Sequence, residues 1–284
     1  MTLSNSDAQS GPLTSGRACY LHGIIRLDPA GNTESASAPV LDDCAPVELL
    51  PYGDLAAIVT RVPRALFEGD VLQARLKDAA WLESAVRWHQ SVVEAFHRER
   101  GVLPAKLGCV YAHSADLVEA LAPVHDALRS QLDRLAGCDE WGVRLYADRS
   151  IVERRVTKED PRMHQLQQEL AGARPGRAYL LRRKLADLIG STTDQWLSEV
   201  AQAGYDRLLC CSVDGQIGPR PNGVPVAVGD AEVLRADFLV SRANVDRLVD
   251  EIHRFIEGQE GLRCEYSGPW PPYSFARLGG EDSR

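Results

Sequence analysis

No phosphate-binding loop is legible in this chain of 284 residues. Neither GxGxxG nor GxxxxGK[ST] occurs, so nucleotide binding has no motif to rest on. Zinc and redox spacings are missing as well. The cysteines include a vicinal pair, Cys210-Cys211, but no CxxC, and His89 and His97 stand eight positions apart rather than at the i, i+4 spacing that chelates a metal from one helix. No apolar run approaches the ~18 residues of a membrane-spanning helix. An excess of basic charge is lacking too. With 32 Lys and Arg against 40 Asp and Glu, the formal charge of −8 repels nucleic acid and anionic lipid at long range. Residues Met1–Gly16 have neither a cationic start nor an apolar core, so a secretion signal is not expected and 1–17 reads as a disordered leader. The seven cysteines are odd in number, scattered, and mostly set in apolar runs. That usage fits reduced thiols in cores and a cytoplasmic protein.

What is present describes an ordinary globular chain, 44% hydrophobic and 25% charged, and long enough for two cores. Strand-like runs stand at Ala18–Arg26, Leu55–Arg61, Lys106–Tyr111 and Trp141–Tyr146. A loop rich in Pro, Gly, Ser and acids spans Asp28–Gly53. Leu72, Leu76, Ala79, Leu82, Val86, His89, Val93 and Phe96 recur at helical spacing over 71–100, closed by Gly101. Leu117 to Leu135 marks a second helix, kinked or restarted at Pro123. The polar, proline-bearing stretch 157–176 is expected to link two domains, 18–156 and 177–267. Beyond it come a long helix through Leu181 to Val200, strands at Leu208–Val213 and Val233–Val240 joined through turns at Asp214-Gly215 and Asn222-Gly223, a helix from Val245 to Ile256, and a last strand Leu262–Tyr266. The expected class is α+β: two tandem domains, mixed sheets with amphipathic helices on one face, and a C-terminal part that becomes ferredoxin-like if one more strand precedes it.

The residues 268–284 form a proline and aromatic arm, opening Gly268-Pro269-Trp270-Pro271-Pro272-Tyr273-Ser274-Phe275. Its prolines predict a stiff, polyproline-like segment presenting three aromatic side chains. Such a cluster is covered either by the protein's own body or by a partner; Pro269 and Pro272 also have the PxxP spacing of SH3 and WW ligands. The basic cluster Arg174, Arg177, Arg182, Arg183 and Lys184 opens the long helix, at the dipole end that disfavours cations, which is a solvated face or a seat for an acidic partner. As a nucleophile, Cys109 would need a histidine in reach, and its place between Leu107 and Val110 reads instead as a buried thiol.

Taken in order, Tyr20-Leu21-His22-Gly23-Ile24-Ile25, Leu55-Ala56-Ala57-Ile58-Val59 with Val62-Pro63, His89 with Val92-Val93, and Val102-Leu103-Pro104 with Gly108 begin a recognisable series. Trp141-Gly142-Val143-Arg144-Leu145, Gly176-Arg177-Ala178-Tyr179-Leu180 and the terminal arm complete it. Over roughly residues 18–276 the chain resembles the gas vesicle protein F/L family (GvpF and GvpL). It departs from a common LPLRFGTVF reading at Leu103–Tyr111, where it has LPAKLGCVY. The resemblance implies a gas vesicle accessory protein without cofactor or enzymatic activity, one that binds the hydrophobic shell protein GvpA, limits its aggregation and assists nucleation. Trp270, Pro271, Tyr273 and Phe275 are the expected partner contacts, with Arg182 and Arg183 beside them; sister accessory proteins are further expected partners, and nucleic acid and membrane are not. The competing reading is a ligand-sensing ferredoxin-like regulatory module.

Overall fold

The computed structural model describes residues 16–27, 41, 44–67, 69–219 and 230–277. The expected leader, apart from Gly16 and Arg17, lies outside the described residues, as do most of the loop after Asp28, the Asn222-Gly223 turn and residues 278–284 of the arm. The chain divides into two compact units, one of residues 1–136 with 271–284 and one of residues 137–270.

In the first unit β1 (Arg17–Arg26), β2 (Val47–Tyr52), β3 (Leu55–Pro63), β4 (Leu103–Pro104) and β5 (Val110–Tyr111) form a sheet ordered β2-β3-β1-β4, with β5 also on β1. Every pair is antiparallel, where the sequence left the sheets mixed. β2 falls inside the stretch read as loop. Pro51 hides it from a pattern search, and the sheet tolerates that proline because β2 is an edge. β1 is buried on successive residues, so it is covered on both faces rather than one. Between Leu21 and Gly23 the β1–β3 register slips. A Cβ on Gly23 would stand 2.8 Å from the Leu103 carbonyl, so glycine is what lets β4 approach.

Helices α1 (Arg64–Phe67), α2 (Gly69–Arg75) and α3 (Ala79–Arg100) replace the single helix expected over 71–100. The break is Asp78, whose carboxylate accepts from the Ala80 and Trp81 amides at 3.0 and 3.3 Å and starts α3 afresh. Asp78→Ala is expected to cost about 1 kcal/mol in urea unfolding, the usual loss of an N-cap. α3 buries Ala85, Trp88, His89, Val92, Val93 and Phe96, and Gly101 stops it at φ 77°. α4 (Ser114–Leu121) and α5 (His125–Leu135) are separated by a 3-10 turn containing Pro123, as expected.

The second unit opens with β6 (Cys138–Asp148), a strand that the sequence reading places at the close of the first domain. α6 (Arg149–Glu159), α7 (Pro161–Ala171) and α8 (Pro175–Leu209) follow, so the stretch 157–176 is helical rather than a linker. Its prolines sit in the first turn of α7 and of α8, where the missing N–H costs nothing. Val156 and Met163 belong to the core of this unit. α8 runs on through Leu209, so the expected strand Leu208–Val213 is instead a helix end and a turn, and Asp214-Gly215 begins β7 (Asp214–Ile217). A short apolar run such as LLCC fits either state by period alone. β8 (Asp230–Ser241), α9 (Val245–Ile256) and β9 (Leu262–Trp270) complete the unit.

The sheet order β7-β8-β6-β9, all antiparallel, with α8 and α9 as crossovers, is the ferredoxin-like arrangement, and β6 is the extra strand it required. The first unit's sheet follows the same permutation of its own strands. Two related α+β units in tandem are thus visible in topology, though not residue by residue.

Candidate partner-binding groove

β1 carries Tyr20 and His22 on the face that meets α3. Their rings lie 4.9 Å apart, His22 stacks on His89 at 5.3 Å, and Trp88 closes the cluster against both. His89 Nε2 lies 3.1 Å from the Ala105 carbonyl, which can only accept, so that nitrogen carries the proton. His89 Nδ1 therefore accepts from the Tyr20 hydroxyl at 3.0 Å, and the Tyr20 oxygen accepts from the Gly108 amide at 3.2 Å. Burial holds the His89 imidazole neutral, its pKa lowered to about 4 even though the bond to Ala105 opposes the shift. Burial, reinforced by His89, also pushes His22 well below the usual histidine range, while burial pushes the Tyr20 phenol up.

This chain of bonds pins both ends of the 105–108 segment, which interrupts what the sequence reads as one strand over 106–111. Leu107 and Gly108 form a turn between β4 and β5, with Gly108 at φ 87°. The turn projects Lys106 and Leu107 beside α3. The last part of the chain supplies the remaining wall. Residues Tyr273–Phe275 form a 3-10 turn anchored by Phe275, which is 4% exposed. Arg134 of α5 donates to the Phe275 carbonyl at 3.0 Å. The Gln131 amide both donates to the Arg277 carbonyl and accepts from the Arg277 N–H, the latter at 2.8 Å. Tyr273 is thereby set 6.2 Å from His89, ring to ring.

Val86, His89, Gln90, Lys106, Leu107 and Tyr273 enclose a groove of about 340 Å³. Val86, Leu107 and Tyr273 are 41%, 39% and 36% exposed, so three large apolar side chains converge on it without being covered. Lys106 and Gln90 add polar atoms to the lining. The groove thus has an apolar lining with a polar margin.

Of the expected partner contacts, Tyr273 alone lines this groove. Pro271 and Phe275, expected as partner contacts, are buried in the fold. Nor is the arm polyproline-like, since Gly268, Pro269 and Trp270 continue β9, and Trp270 stays exposed at that strand's end. Arg182 and Arg183 lie exposed on α8 in the second unit. Val86 falls on the expected apolar stripe of the helix and Leu107 in the expected strand over 106–111; in the fold His89, Val93 and Phe96 of that stripe are buried together with Trp88 and Val92, while Val86 and Leu107 are exposed. Cys109 uses its carbonyl to accept from Leu21 N–H at 2.8 Å, and none of the seven cysteines is in a disulfide. Among the described residues there is no His, Cys, Asp and Glu group placed to hold a metal, and no helix long and apolar enough to cross a membrane.

The model of the gas vesicle synthesis protein GvpL/GvpF family matches residues 18–277. The chain belongs to the GvpL/GvpF family. It is 33% identical over 241 residues to gas vesicle protein L of a Streptomyces species, covering 84% of this chain and 85% of that one. It is 29% identical over 291 residues to gas vesicle protein L2 of Halobacterium salinarum, covering 97% and 96%. Its fold matches the crystal structure of gas vesicle protein GvpF from an Anabaena species, with a TM-score of 0.69 at 18% identity, over 93% of this chain and 100% of that one. Membership of GvpL/GvpF gives the chain a gas vesicle role, and the α+β fold is that of the solved GvpF proteins.

Proposed function

We propose that this GvpL/GvpF protein is an assembly accessory of the cytoplasm that holds the hydrophobic shell protein GvpA through the groove of Val86, Leu107 and Tyr273, limiting its aggregation while vesicles nucleate. The observation that carries the reading is that groove: three exposed apolar side chains around a hydrogen-bonded, neutral histidine floor. A shell subunit with much apolar surface needs a partner offering apolar surface of its own, and a groove rigid before binding loses little ordering entropy on capture. The net charge of −8 keeps such a complex soluble, and seven cysteines without a disulfide fit a reducing compartment.

Purified GvpA captured on the immobilised protein tests the reading. Leu107→Asp places a carboxylate in the groove from an exposed turn and leaves the buried cluster alone; it is expected to weaken capture at least about tenfold, with circular dichroism unchanged. Tyr273→Ala is expected to act in the same direction. Full capture by both folded variants would move the GvpA contact elsewhere on the molecule.

A further inference from the structure

Among the described residues β9 is an edge of the second sheet, with β6 on one side and no strand on the other. Which of its backbone groups face outward follows from one bond. Asp148 N–H donates to the Gly261 carbonyl at 2.8 Å, and the register runs on unbroken through Tyr146↔Arg263, Leu145↔Cys264, Arg144↔Glu265 and Val143↔Tyr266. Hydrogen-bonded and non-hydrogen-bonded pairs alternate in an antiparallel ladder. Arg263 and Glu265 therefore spend their backbone groups on β6, whereas those of Cys264 and Tyr266 point to the open side. The Leu262 carbonyl points the same way, its N–H being bound to Gln259.

The side chains alternate to match. Leu262 and Cys264 pack against the helix-side core, and Tyr266 lies on that face too, against Trp141 and His253, still 41% exposed. Arg263 and Glu265 share the opposite face, ion-paired to each other, with side chains 45% and 56% exposed. An edge is guarded against pairing by repelling charges, by proline or by a bulge; the proline and the register shift of β9 lie at 267–270, beyond the stretch 262–266. That stretch carries opposite charges two residues apart, a pattern that is its own complement when the strand is turned end for end.

We propose that β9 pairs antiparallel with β9 of a second copy of this chain, about a twofold axis at Cys264. In that register Arg263 of each copy faces Glu265 of the other at the closer, non-hydrogen-bonded positions, where cross-strand ion pairs count most. Leu262 faces Tyr266 of the second copy and covers its exposed ring. Cys264 N–H donates to the Cys264 carbonyl of the second copy, and Tyr266 N–H to its Leu262 carbonyl. The contact is isologous and closes at a dimer. A ladder this short buries less than a standard interface, so the association is weak, with a Kd of about 10–100 µM.

Sedimentation equilibrium of the full-length protein over a concentration range spanning that Kd is the test. The wild type is expected to show a monomer–dimer equilibrium that weakens as added salt screens the charge pairs. Arg263→Glu sets Glu against Glu across the axis and Glu265→Arg sets Arg against Arg; each is expected to raise the Kd at least about tenfold. The double exchange restores opposite charges and is expected to return the Kd to within about threefold of wild type. Thermal unfolding of each variant reports the monomer separately. A wild type that stays monomeric, single variants that dimerise like wild type, or a double exchange that fails to restore pairing would overturn the proposal, as would an association indifferent to salt, which needs no variant to observe.

Discussion

Phe275→Ala is expected to destabilise the first unit by about 3–5 kcal/mol, the loss that follows removal of a buried aromatic ring and the cavity left behind. Phe275 is 4% exposed, two residues beyond the partly exposed Tyr273, in a turn only three residues long. The ring anchors the described end of the chain, residues 271–277. Without it the bonds from Arg134 and Gln131 have to hold the chain against solvent competition, and bonds of that kind contribute only about 1 kcal/mol each. Tyr273→Ala, by contrast, is expected to leave the unfolding midpoint nearly unchanged while weakening GvpA capture. Urea titrations of the two variants separate the roles: equal destabilisation would show that Tyr273 is as structural as Phe275.

This pair changes how the C-terminal residues are to be probed. Removing 268–284 as a block deletes the end of β9 from one unit and the Phe275 anchor from the other. Loss of partner binding in such a truncation is then the expected result of lost folding, and it says nothing about contact. Point variants that differ in burial, as Phe275 and Tyr273 do, keep the two causes apart.

The same two residues show what a sequence can and cannot carry. The arm stands out because three prolines and three aromatics in eight residues are a dense signal, yet its composition is silent on which ring turns inward, since that depends on α5 lying beneath it. Helices with a full apolar stripe, such as α9 and the α4–α5 pair around Pro123, were legible because burial on one face imposes a period. β7 was not, being a four-residue edge strand with one large apolar side chain, Ile217, pointing to solvent. The groove was the least visible feature. Val86 and Leu107 are apolar residues among apolar residues, and only the Asp78 restart of α3 and the turn at Gly108 expose them.

Lowering the pH from neutrality to 5 is expected to remove about 2 kcal/mol of the first unit's stability through His89 alone, and about 3 kcal/mol by pH 4. The sign follows from the two states. In the folded protein His89 has a pKa of about 4, because burial disfavours the imidazolium; unfolded, it returns to about 6.5. Between these values the unfolded chain binds the proton and the folded one does not, so stability is complete above about 6.5, falls as the pH drops through that window, and levels off below 4. His22, shifted down in the same direction by burial and by His89, steepens the fall. The depressed carboxyl of Asp54 in the same unit also makes acid destabilising, but it acts below its own unfolded value near 4, outside the histidine window. Protonation of His89 would also break the bond it accepts from Tyr20, and with it the tie through Gly108 that shapes the groove's turn. Urea unfolding at pH 7.5, 6, 5 and 4, repeated with His89→Gln, checks this: the variant is expected to be less stable at neutral pH yet to lose distinctly less between 6.5 and 4. A wild type whose stability is flat across that window would mean that the histidine pair is not buried neutral, and the rigid floor assigned to the groove would go with it.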